Sequence, residues 1–224
     1  MMRRKCLFAH ERAQRDPFRA GFTLLELLTV VIIMGIVLSF TAPALTSLQQ
    51  SNNIVLAGQS IADQLAVARQ IASSRNLTVE VRFITPTTWA SQGTPAYQGY
   101  HDIQLWAPNE SGTSAALDRP VALPTGIEIS PGTALSPLLA QYSKSGSITT
   151  GVTSGNYVSF FVRPIGNIVT SGTTSPPLNS NGSSIQSCFL TVVPVQNDTL
   201  NVLPKNYLTL QVNPDTGSVQ AYRP

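Results

Sequence analysis

Glu26 is the side chain whose chemistry stands out most, because it is a carboxylate near the start of a long apolar run. Residues 27–62 contain no charged side chain, and the run is densest from 24 to 45. An ionisable group in such a segment is expensive in lipid, which makes Glu26 a functional candidate. On a helix, its carboxylate can approach a cation about four residues away. The basic residues that precede it are Arg3, Arg4, Lys5, Arg12, Arg15 and Arg19.

The apolar run that carries this carboxylate is long enough to predict a membrane-spanning helix rather than a buried core helix. The basic residues before it fit the excess of positive charge on the cytoplasmic side of such helices. An uncleaved signal anchor with an incidental glutamate is an alternative. An ordinary secretory signal peptide is disfavoured, because the run exceeds a typical signal core and lacks an evident Ala-x-Ala end.

The sequence Gly21-Phe22-Thr23-Leu24-Leu25-Glu26, followed by this run, resembles the prepilin peptidase site of type IV pilins and type II secretion pseudopilins. The resemblance implies that residues 1–21 are a leader cleaved between Gly21 and Phe22, and that Phe22 is then N-methylated. It also implies three partners: prepilin peptidase, other pilins or pseudopilins in a filament, and the bacterial inner membrane. The amino terminus would be cytoplasmic and the C-terminal domain periplasmic.

Cleavage would give Glu26 a specific partner. It would leave a positive α-amino group on Phe22 at the head of an apolar helix, and an unpaired buried charge is heavily penalised. Glu26 lies four positions further along, so it can approach this amine on its own chain or on a neighbour. We therefore predict that Glu26 is an assembly residue.

The net charge of +3 and the pI near 9.1 come from the predicted leader. The leader holds six basic and two acidic residues, which leaves eight basic and nine acidic residues, a net charge of −1. No basic stripe remains for nucleic acid, and we predict no nucleic-acid partner.

Residues able to support catalysis or bind a metal are sparse beyond residue 21. His101 is the single histidine there and Cys188 the single cysteine, which cannot form a structural zinc site or an intramolecular disulfide. No serine lies in Gly-x-Ser-x-Gly, and Asp198 and Asp215 lack the spacing of a calcium loop. We predict no catalytic, cofactor-binding or metal-binding residue. A surface or hydrogen-bonded role is favoured for His101, and a buried apolar role for Cys188.

A single long helix is predicted over residues 23–74. Its second half carries an apolar stripe at alternating spacings of four and three, which is typical of a helix that packs on a domain. The stripe consists of Ile54, Gly58, Ile61, Leu65, Ala68 and Ala72. The predicted segments are the membrane or filament-core helix at 22–45, its amphipathic continuation at 46–76, and a β-rich periplasmic domain at 77–224.

The β-rich domain is predicted from short runs of alternating or apolar residues. Residues 213–217, Asn-Pro-Asp-Thr-Gly, predict a turn between the last two strands. Residues 143–155 and 171–184 are rich in Ser, Thr, Gly and Asn, and predict surface loops. A cluster of Trp89, Tyr97, Tyr100 and Trp106 is interpreted as packing on the sheet, with a contact surface as the alternative. The predicted strands are 78–83, 101–106, 126–129, 157–162, 189–193, 207–212 and 218–222.

The predicted fold class is therefore α+β, with the long N-terminal helix packed on an antiparallel sheet. This arrangement resembles H-type minor pseudopilins and fimbrial T-type minor pilins (GspH/FimT-like), particularly over residues 59–83 and 206–217. The same stretches are similar to pilin-like proteins grouped as Verru_Chthon cassette protein D. The resemblance implies a structural subunit of a type IV pilus-like or type II secretion filament. Two alternatives stay open: a non-assembling, single-pass anchored periplasmic binding domain, and an anchored hydrolase.

Overall fold

The computed structural model describes residues 22–86, 98–142, 144–150, 153–169, 188–197 and 202–223. The chain divides into two compact units, residues 1–45 and 46–224. In the described ranges, an N-terminal helix is followed by antiparallel strands. This order confirms the predicted α+β class.

Helix α1 spans Leu24–Arg75, as the sequence predicts to within one residue. In the first unit, every side chain from Phe22 to Ser39 is exposed. Within the part of the chain that the structure describes, no helix combines the length and apolar character needed to cross a membrane.

In the second unit, the predicted apolar stripe of α1 forms one side of the core. Ile54, Ile61, Ala68 and Ala72 are fully buried, and Leu65 is nearly so. At Gly58 the helix and the sheet approach closely, because a Cβ built there would overlap with Leu208 Cδ2 of β10. The periodicity of three and four residues therefore identified the face that packs on the sheets.

The larger sheet has the strand order β3-β2-β1-β7-β6, with β4 beside β2 and β8 beside β7. All of its pairings are antiparallel. We number its strands β1 (Val79–Pro86), β2 (Asp102–Pro108), β3 (Ser114–Ala116), β4 (Val121–Ala122), β6 (Lys144–Thr150), β7 (Thr153–Val162) and β8 (Ile168–Val169).

The smaller sheet has the order β11-β10-β9-β5. Its strands are β5 (Ile127–Ile129), β9 (Phe189–Pro194), β10 (Leu208–Val212) and β11 (Val219–Tyr222). Asn213 Oδ1 accepts hydrogen bonds from the backbone amides of Asp215 and Thr216 in the β10–β11 turn, which confirms the predicted turn. A short helix α2 (Pro137–Tyr142) and a 3-10 turn (Val195–Asn197) complete the described elements.

The loop predicted at residues 143–155 is wrong, because these residues contain β6 and the start of β7 of the larger sheet. Gly146 of β6 packs directly against the Tyr157 ring of β7. A Cβ built on this glycine would lie 2.7 Å from the ring, so a larger residue would not fit without a shift. The loop predicted at 171–184 lies outside the described residues.

Strand β1 alternates polar and apolar side chains, a pattern that is typical of a strand buried on one face, but both of its faces are buried. Val79, Val81 and Phe83 enter the main core. Glu80 and Arg82 on the opposite face are also buried, with 5% and 8% exposure. Both faces of the central strand are therefore covered.

Candidate functional site

The N-terminal site is organised by Thr23, which caps α1. Its Oγ1 accepts a hydrogen bond from the Glu26 amide at 3.2 Å, and its carbonyl oxygen accepts from the amides of Glu26 and Leu27. This satisfies amides that the first turn of a helix otherwise leaves without partners. The helix consequently starts at Leu24, two residues after Phe22.

The structure places Glu26 at the third helical position, exposed, in the first turn of α1. A carboxylate there is stabilised by the positive end of the helix dipole. Phe22 precedes the helix and is 83% exposed. Gly21 lies outside the described residues. The arrangement leaves Phe22 and Glu26 accessible to an enzyme or to another subunit.

Thr23 is a functional candidate that the sequence analysis missed. The spacing Thr-x-x-Glu, directly before an apolar run, is the signature of a capping box. The same four residues therefore fix the start of the helix as well as the position of the carboxylate. Glu26 takes part in the helix start through its backbone amide, which Thr23 caps, and its carboxylate is the group to which the assembly role is assigned.

In the second unit, the buried ionisable residues of β1, Glu80 and Arg82, make internal contacts. Arg82 Nη2 lies 2.7 Å from Glu80 Oε2, and the Ser159 hydroxyl donates to Glu80 Oε1 at 2.7 Å. The Arg82 guanidinium stacks on Trp106 and Tyr157, 3.9 and 4.3 Å from the ring centroids. Ion pairing and stacking of this kind offset the desolvation penalty of burying the two charges.

His101 is buried rather than on the surface, and its Nδ1 lies 2.9 Å from Asp102 Oδ1. The hydrogen-bonded alternative predicted for it is the one confirmed. Glu128, also buried, accepts a hydrogen bond from the Gly99 amide at 2.9 Å. Of the predicted aromatic cluster, Tyr100 packs on the core and Trp106 on Arg82, as expected for sheet packing; Trp89 and Tyr97 lie outside the described residues.

Cys188 is buried in the core, as predicted. Burial, aided by the negative charge of Asp215, raises the pKa of its thiol to about 12. It therefore stays protonated at neutral pH and is a poor nucleophile. In the described ranges, no three His, Cys, Asp or Glu side chains are grouped to hold a metal ion.

Grooves lined by described residues open on the surface of the second unit. One of about 430 Å³ is lined by uncharged groups that include Tyr100, Asn156 and Tyr157. Another, of about 220 Å³, surrounds the β10–β11 turn and contains Asp215.

Comparison with known proteins returns one match at this site. Residues 17–42 match the family described as the prokaryotic N-terminal methylation motif. No curated protein and no solved structure matches the chain. The match supports the prepilin-like family, and it implies processing by prepilin peptidase and pilin-like partners. Gly21, Phe22 and Glu26 all lie inside the matched segment.

Proposed function

We propose that this protein is a minor pilin or pseudopilin, a structural and non-enzymatic subunit of a type IV pilus-like or type II secretion filament. Prepilin peptidase cleaves it after Gly21 and methylates Phe22. The protein is held in the bacterial inner membrane with residues 77–224 in the periplasm. This function extends the resemblance to GspH/FimT-like subunits described above.

The observation that carries the proposal is the exposure of apolar side chains inside the matched motif. Thirteen large apolar residues between Phe22 and Leu38 are 44–84% exposed. A water-soluble monomer does not present so long an apolar surface, whereas a bilayer or a bundle of similar helices would cover it. Glu26 is the single ionisable residue among them.

Processing is the direct test of this function. Mass spectrometry of the mature protein should find Phe22 at the amino terminus with a mass increase of one methyl group. Gly21→Leu should retain the leader, because a bulky residue replaces the small one before the scissile bond. Ala20→Leu, one position further from the bond, is the matched control and should be processed. An intact leader on the wild-type chain, in cells with active peptidase, contradicts the proposal.

A second function is favoured by the 430 Å³ groove. Its tyrosine, amide and hydroxyl lining suits an uncharged ligand rich in hydroxyl groups, as expected of an anchored periplasmic binding domain that does not assemble. Crosslinking separates the two functions. A filament subunit should crosslink to other pilins through residues 22–45, whereas a solitary binding domain should not.

A further inference from the structure

We propose that residues 202–206, Tyr222 and Arg223, together with Leu48 and Ser51 of α1, form a docking surface for anionic phospholipid headgroups. We call this set the Arg223 patch. The inference rests on the membrane anchoring proposed above and adds a second lipid contact, made by the folded unit. The proposal is argued from the cationic, aromatic and apolar side chains that lie at one end of the residue 46–224 unit.

Arg223 brings the parts of this patch together. Its guanidinium donates hydrogen bonds to the Ser51 hydroxyl of α1 and, at 3.4 Å, to Asn206 Oδ1. The end of β11 and the segment before β10 therefore meet at the start of the helical stripe. Leu203 precedes Asn206 by three residues, so it lies within about 10 Å of it along the chain.

The composition of the patch fits a lipid interface. Lys205 and Arg223 are both exposed, and cations near a bilayer are attracted by anionic headgroups. Tyr222 is 51% exposed, and tyrosine is enriched at membrane interfaces because its ring is apolar and its hydroxyl polar. Leu48, Val202 and Leu203 are 61%, 66% and 46% exposed, and each lies three or four residues in sequence from Ser51 or Asn206, the two residues to which Arg223 donates.

The position of the patch in the sequence also fits a contact with lipid headgroups. The apolar segment ends at Leu45, and Leu48 and Ser51 follow it by three and six residues. The headgroup region of a bilayer extends about 5–8 Å beyond the hydrocarbon on each side, which about three to five residues of helix span. In sequence, the patch therefore begins in the stretch of chain that follows directly on the apolar segment.

The structure supplies a matched control at the other end of the same unit. Ile165 is 78% exposed in the β7–β8 turn. Its neighbour Gly166 lies beside Arg69, whose Nε is 3.8 Å from a Cβ built on that glycine. Arg69 follows Ser51 by eighteen residues of α1, or about 27 Å. Ile165 is therefore an exposed apolar residue far from the patch.

The test compares spin labels at these two places in the processed, full-length chain reconstituted into vesicles. Leu203→Cys and Ile165→Cys carry the label, and the buried Cys188 thiol stays unlabelled. In vesicles containing phosphatidylglycerol, the label at 203 should be shielded from a water-soluble nickel chelate, and the label at 165 should not. Lys205→Glu should weaken this docking about fivefold or more, the factor equal to about 1 kcal/mol per basic side chain.

Three results would overturn the proposal in distinguishable ways. Equal access of the chelate to both labels, in protein that floats with the vesicles, rejects the patch and leaves the anchoring intact. Failure of the chain to float with vesicles rejects the proposed anchoring and the patch together. Shielding at 203 that persists in detergent, or that increases with the protein-to-lipid ratio, assigns the surface to a second copy of the chain instead of lipid. Circular dichroism of Lys205→Glu verifies that the fold is retained.

Discussion

At the residue scale, Thr23 and Glu26 have different roles in the N-terminal site. Thr23 caps the helix through its hydroxyl and its carbonyl oxygen, and so fixes where α1 begins. Glu26 follows at the third helical position, with its carboxylate exposed. The cap needs the threonine oxygen atoms, whereas the proposed pairing with the Phe22 amine needs the charge of the glutamate.

This division predicts the effect of neutralising Glu26. Glu26→Gln should keep the helix, the fold of the second unit and membrane insertion, but it should reduce incorporation into filaments. The α-amino group would then enter an apolar environment without its counter-charge, and such unpaired charges are destabilising by about 3–5 kcal/mol. The measurement is crosslinking of filament fractions from wild type and variant.

Asp63→Asn is the matched control for this change, because Asp63 is an exposed carboxylate of the same helix. It should assemble as the wild type does. Equal incorporation of Glu26→Gln and wild type would reject the pairing role. Loss of both variants from filaments would point to a general need for acidic residues.

At the scale of elements, α1 was the part most accessible to prediction from sequence. Its stripe could be identified because helical periodicity is local, and each member lies three or four residues from the next. The outer face of β1 could not be predicted in the same way. Glu80 is satisfied by Ser159, which is 79 residues away, and Arg82 by the rings of Trp106 and Tyr157. Strand β6 was missed because its Ser, Thr and Gly residues are typical of loops.

The helical stripe predicts that a buried and an exposed apolar residue of α1 differ in their effect on the free energy of unfolding. Ile61→Ala should reduce the free energy of unfolding by about 2–4 kcal/mol, because it removes a fully buried side chain and leaves a cavity. Leu56→Ala, on the same helix but 52% exposed, should change it by less than about 0.5 kcal/mol. Urea denaturation monitored by circular dichroism measures both. Similar losses in the two variants would mean that the stripe does not form the core.

At the scale of the whole molecule, the second unit contains its own core. That core joins α1, both sheets and Cys188, and all of its members lie beyond residue 45. In the described ranges, backbone hydrogen bonds also link the two sheets. Tyr100 and Ile129 form an isolated bridge, and the Ile168 amide donates to the Pro214 carbonyl at 2.7 Å. Nothing in these contacts requires the first unit.

We therefore expect a fragment of residues 46–224 to fold by itself. Its circular dichroism should show both helix and sheet, and Cys188 should react with a thiol reagent only when the fragment unfolds. The reason is that burial keeps this thiol protonated and inaccessible. A fragment with no β signal, or with Cys188 modified at the rate of an unfolded peptide, would contradict this. The same fragment in denaturant gives the reference rate.

The interleaving of the two sheets along the chain has a consequence for the timing of folding. Strand β1 pairs with β7 across sequence separations of 69 to 83 residues, and β5 pairs with β9 across 63 to 67 residues. Because β5 lies between strands of the other sheet in sequence, neither sheet is built from one uninterrupted part of the chain. Long-range pairing of this kind folds slowly. In the proposed export of residues 77–224 to the periplasm, the apolar stripe of α1 would therefore stay exposed until the last strands had crossed the membrane. A periplasmic chaperone would have its longest opportunity to bind in that interval.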